Sequence, residues 1–118
     1  MFLALLFLES IQGKDISSVS YQNKVFPILE KHCIQCHGSE KQKGNVRFDT
    51  LSIDFLKDRT AAETWHDASD QIKLGEMPPE EENPLSSEDR KILTEWIDHE
   101  LSESFKKMQG TANSQVIR

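Results

Sequence analysis

Two cysteines and a histidine fall within five consecutive residues, Cys33-Ile34-Gln35-Cys36-His37. A bare Cys-x-x-Cys would serve a thioredoxin-like redox pair or half of a zinc site equally well. A histidine directly after the second cysteine changes the reading. Thiols one helical turn apart can add to the two vinyl groups of one porphyrin, while the next imidazole is drawn under the iron as proximal ligand, so the spacing points to covalent c-type haem. These are the chain's two cysteines, which leaves no further pair for a structural disulfide.

An iron held by His37 takes its chemistry from whatever meets its other side. Met77 suits that place. It follows Gly75, a helix-ending residue, and precedes Pro78 and Pro79, which keep the backbone extended and limit the entropy lost in presenting a thioether. A thioether favours ferrous over ferric iron and raises the reduction potential. The plainer role for Met77 is a loop methionine that plugs a gap in the core. The competitors are worse placed: Met1 opens the chain, and Met108 falls in the terminal turn of the last helix. His32 reads as a surface residue at a helix end, His66 lies one step off an apolar stripe, and His99 sits between Asp98 and Glu100 on a solvated face.

The elements that must position these residues follow from periodicity. A helix capped by Ser20 is expected through Val25, Ile28 and Leu29 toward Cys33, disturbed at Pro27, which removes one backbone bond and crowds the carbonyl of Asn23. Residues 38–44, bracketed by glycines, form a polar loop. Val46-Arg47-Phe48 alternates like a very short strand, and Asp49-Thr50 could cap a short helix through Ile53, Phe55 and Leu56. A better marked helix opens with a Thr60/Glu63 capping box, carries Ala61, Trp65, Ala68 and Ile72 on one face, and ends at Gly75. A glutamate- and proline-rich loop follows. The last helix starts at Ser86 or Ser87 with Ile92, Leu93, Trp96, Ile97, Leu101 and Phe105 in one stripe, and with Lys106 and Lys107 suited to its C-terminal dipole.

The 118 residues suffice for one domain, and 36% hydrophobic with 29% charged residues is ordinary for a globular chain. A formal charge of -6 argues against non-specific nucleic-acid binding, which needs Lys and Arg against phosphates. The opening run MFLALLFL is too short for a membrane-spanning helix and resembles the end of a secretory signal without its cationic start. The expected organisation is a shortened signal over residues 1–13, a haem domain over 18–107 and a flexible tail over 108–118. No integral membrane span is expected in the mature chain.

Several of these residues occur in a familiar order. Phe26-Pro27-Ile28-Leu29, Cys33 to Gly38, Trp65, Gly75-Glu76-Met77-Pro78-Pro79, Leu85-Ser86 and Trp96-Ile97-Asp98 together resemble the planctomycete-type cytochrome c domain, over about residues 20–102. The resemblance implies an all-α, class I cytochrome c-like fold with N- and C-terminal helices crossing beside one haem. It implies Cys33 and Cys36 as covalent attachments, His37 as proximal ligand and Met77 as distal ligand. Domains of this type often open larger secreted proteins, so the chain reads as a free-standing carrier or as such a module.

The expected function is that of a monohaem c-type cytochrome, not an enzyme, passing single electrons to redox partner proteins in the periplasm or another extracytoplasmic space. Two other classes compete. A haem enzyme or sensor of peroxide or a small gas would leave the sixth iron site open or weakly held. A zinc module would need Cys33, Cys36 and two histidines to converge. The acidic run over 76–100, set against Lys41, Lys43 and Arg47, could steer a partner, though such charge more commonly serves as solvated surface. No nucleophile–base pair, phosphate loop or metalloprotease motif is present.

Overall fold

Pro27 shapes the start of the fold. The computed structural model describes residues 19–79, 81 and 83–117, with side chains through residue 110. Helix α1 spans Phe26–His32 with Pro27 in its first turn, where a missing N–H is harmless. A π-helical turn, Tyr21–Val25, leads into it, and the Phe26 N–H donates to the Tyr21 carbonyl. The wide turn answers both problems of a proline, the lost donor and the crowded carbonyl, so the expected restart takes this form. Ser20 is not the expected cap. Its backbone is already helical and its side chain makes no capping bond.

Helix α2 spans Arg59–Lys73. Its cap is Asp58, whose carboxylate accepts from the Ala61 N–H at 2.9 Å, so the expected Thr60/Glu63 box does not form. Thr60 lies inside the first turn, and its carbonyl accepts the Thr64 hydroxyl. The inward face is the expected one, with Ala61, Trp65 and Ile72 buried and Ala68 packed against them.

Helix α3 spans Ser87–Ile117. The Asp89 N–H donates to Ser86 Oγ at 3.0 Å, which makes Ser86 the cap. Leu93, Trp96 and Ile97 are buried, whereas Phe105 is 55% exposed and marks where the stripe leaves the core. The tail expected from residue 108 is helical through Ile117. Lys106, Lys107, Met108 and Gln109 are good helix formers, and the single Gly110 costs only about 1 kcal/mol.

Between α1 and α2 the chain is irregular. No helix follows Asp49, because Arg47 grips both its carboxylate oxygens at 3.0 and 2.6 Å, and this fork holds the carboxyl below its usual range. Among the described residues there is no strand, only a bridge between His37 and Gln42 and a 3₁₀ turn, Lys43–Asn45.

The helices meet over an aromatic cluster. Trp65 of α2 and Trp96 of α3 are 5.3 Å apart edge to face, and Tyr21 packs 5.1 Å from Trp96. Such pairs add about 0.5–1.5 kcal/mol each beyond the area they bury. Polar ties fix the register of α2 on α3: Asp98 accepts the buried Ser69 hydroxyl at 3.0 Å and pairs with Lys73 at 2.7 Å. Arg90 donates to the Ile72 carbonyl in the last turn of α2. Among the described residues no helix is long and apolar enough to cross a membrane. The expected signal over residues 1–13 lies outside the described residues.

Candidate functional site

The cysteine–histidine run occupies a tight double turn at the end of α1. The N–H groups of Cys33 and Ile34 both donate to the Leu29 carbonyl, at 2.8 and 2.9 Å, which ends the helix. Those of Cys36 and His37 then both donate to the Cys33 carbonyl, at 3.2 and 3.0 Å. Gly38 closes the turn at close quarters, since a Cβ there would lie 2.5 Å from the Ile34 carbonyl oxygen. Two later segments fasten the turn from outside. Lys43 N–H donates to the Cys36 carbonyl at 3.0 Å and Phe48 N–H to the His37 carbonyl at 2.7 Å.

Cys33, Cys36 and His37 form part of the wall of a cavity of about 220 Å³. Leu29 of α1, Trp65 and Ile72 of α2, and Leu93 and Ile97 of α3 supply apolar walls, and Phe48 stands edge-on to the His37 ring at 5.6 Å. Met77, Pro78 and Pro79 line the same cavity. Their place follows from how α2 ends. Gly75, at φ 79°, takes the left-handed turn; its N–H donates to the Ile72 carbonyl at 3.1 Å, and the Glu76 N–H donates to the Gln71 carbonyl at 2.9 Å. Met77 N–H shares that Gln71 carbonyl at 3.3 Å. Met77 is 41% exposed, so the thioether belongs to the rim.

Two histidines line the cavity, and hydrogen bonding separates them. His37 Nδ1 is buried without a partner, a state that costs about 1–3 kcal/mol when nothing completes it. His32 is already engaged, with its side chain only 3% exposed. Its Nδ1–H donates to the Asn83 carbonyl at 2.7 Å, and its Nε2 lies 3.9 Å from an Asp89 carboxylate oxygen. The His32 side chain is therefore largely covered, not the surface group its position suggested. Its partner lies 51 residues along the chain, so only its adjacency to Cys33 could have flagged it. His66 is exposed between Asp67 and Asp70, and His99 is exposed on α3; neither lines the cavity, nor does Met108. Trp65 lines it, while Trp96 lies behind in the core.

The donor set fits a flat apolar macrocycle bearing iron: two thiols beside an uncommitted imidazole, a thioether at the rim and apolar side chains between. It fits zinc poorly. Among the described residues no three His, Cys, Asp or Glu side chains converge as a metal site. Burial pushes the Cys33 thiol up to about 11, reinforced by Cys36, which suppresses thiolate chemistry at neutral pH.

Comparison with known proteins agrees with the motif. Residues 33–81 match the family profile described as Planctomycete cytochrome C. The matched stretch runs from the first cysteine through α2 and past Met77-Pro78-Pro79. A cytochrome c domain in general implies haem c. No curated protein and no solved structure gives a significant match.

Proposed function

We propose, on the premise that residues 33–81 carry a planctomycete cytochrome c domain, that the chain binds one c-type haem and serves as a single-electron carrier. Cys33 and Cys36 would hold the porphyrin as thioethers, and His37 and Met77 would hold its iron. The bound iron supplies a reversible one-electron couple. The chain's own residues do the rest. The double turn fixes His37 relative to both attachment points, and Leu29, Trp65, Leu93 and Ile97 exclude water. The rim segment brings a soft ligand without admitting substrate. The observation that carries this reading is the lining of one apolar cavity by Cys33, Cys36, His37 and Met77. A redox protein outside the cytoplasm is the partner expected, since attachment of c-type haem accompanies export.

The deciding experiment is a haem stain on a denaturing gel together with visible spectra of the exported protein. A stained band and a ferric methionine-to-iron charge-transfer feature, lost in Met77→Ala, are expected. Covalent haem with spectra unchanged by Met77→Ala would overturn the ligand assignment. The exposure of Met77 favours one second reading, a weakly held sixth site that takes up a small gas or peroxide. Rapid carbon monoxide binding by the reduced wild type at neutral pH would select it, and failure to bind would eliminate it.

A further inference from the structure

Asn83 meets the end of α1 across 51 residues of chain, accepting a hydrogen bond from His32 and donating one to the neighbouring Lys31. The His32 ring donates to the Asn83 backbone carbonyl at 2.7 Å, and the Asn83 side-chain amide donates to the Lys31 carbonyl at 2.7 Å. The second bond also satisfies a carbonyl left open at the end of α1. His32 Nε2 lies 3.9 Å from Asp89 in the first turn of α3. One side chain thus joins the end of α1, the loop after Met77 and the start of α3. Because a carbonyl can only accept, the Asn83 contact commits Nδ1 of His32 as a donor. The remaining ring nitrogen is the one beside the Asp89 carboxylate. An imidazole so engaged, next to Cys33 and in the cavity wall, is a strut.

We propose that the His32–Asn83 pair is a latch that fixes the far end of the Met77 segment and thereby sets how firmly Met77 holds the iron. The inference rests on the ligand assignment proposed above. Met77 is bracketed. On its near side Glu76 and Met77 N–H groups are tied to Gln71, and on its far side Asn83 is tied to His32 and Lys31. Asn83 is six residues on from Met77, and Pro78 and Pro79 narrow the conformations of the chain next to the thioether, so holding Asn83 limits where Met77 can sit. Freeing the far anchor enlarges the set of conformations in which the thioether is away from the iron. His32 is thus a positioning residue: it sets the geometry of a ligand it does not replace.

The test uses the haem-loaded protein and imidazole as a competing ligand for ferric iron. His32→Phe keeps a ring in the wall and removes both nitrogen contacts. Asn83→Ala, at an exposed position, removes the amide half alone. Both variants should stain for haem and show the methionine-to-iron feature without imidazole. Imidazole should displace Met77 roughly fivefold more readily in His32→Phe, the factor that one net hydrogen bond supplies, and by a smaller factor in Asn83→Ala. Unchanged imidazole affinity in both variants, with the wild-type feature intact, overturns the latch and spares the ligand assignment, even if global stability falls. A haem-bearing wild type without the feature overturns both. Should His32→Phe fail to fold, Asn83→Ala decides: a raised imidazole affinity upholds the latch and an unchanged one overturns it.

Discussion

At Gly38 the absent side chain lets the cysteine–histidine turn close. A methyl group there would press on the Ile34 carbonyl at 2.5 Å and on Ile34 Cγ2 at 2.8 Å, and one of these atoms is backbone. Gly38→Ala should therefore lower stability by about 1–3 kcal/mol, as overpacking does, and reduce the fraction of chains that acquire haem. Urea unfolding and haem staining of equal loads check both. Tyr21 offers a test of a different kind. Burial pushes its phenol from 10.0 up to about 12. As pH rises between those values the unfolded chain releases the proton while the folded one keeps it, so the stability present below pH 10 is progressively lost. Tyr21→Phe removes that contribution. Its urea midpoint should fall less steeply than the wild type's over this alkaline range, and because the chain has one tyrosine, phenolate absorbance follows the same group directly.

Among the elements, α2 matters most because it carries Trp65 and Ile72 to the cavity and delivers Met77 at its end. Its start depends on Asp58, so Asp58→Ala should cost about 1 kcal/mol in chemical denaturation while leaving the haem spectrum unchanged. Its end depends on Gly75. At φ 79° a side chain is strained by about 1–2 kcal/mol, and the strain falls two residues before the proposed ligand. Gly75→Ala should thus weaken the methionine-to-iron feature as well as lower stability, whereas Asp58→Ala changes stability alone. Spectra and melts of the two variants, taken side by side, check this separation.

For the whole molecule the cavity is the main debt. Leu29, Trp65, Leu93 and Ile97 face a space that no described residue fills, and apolar walls without contacts across them forfeit both transfer energy and dispersion. A chain that cannot attach haem, made as Cys33→Ala/Cys36→Ala, should keep helical circular dichroism but melt earlier. The shift for a domain of this size is roughly 4–8 °C per kcal/mol lost, and calorimetry of the two forms measures it. The formal charge of -6 bears on encounter more than on fold. A basic redox partner should react more slowly as salt is added, and stopped-flow rates at two ionic strengths report the slope.

The sequence alone determined what is local: the cysteine–histidine spacing, the inward faces of α2 and α3, and Gly75 ahead of Met77. Each depends on residues a few positions apart, which helical periodicity and turn chemistry govern directly. It misplaced the cap of α2, since Asp58 and Thr60 both suit a cap and only the path of the preceding chain chooses. It set a short helix after Asp49, where the contest between capping a helix and binding Arg47 was decided by the folded backbone. It put His32 on the surface, because nothing in a helix end announces a partner 51 residues away. Tertiary structure decided which histidine is committed to the scaffold and which is left uncommitted, since hydrogen bonds between distant segments form only once packing has brought those segments together.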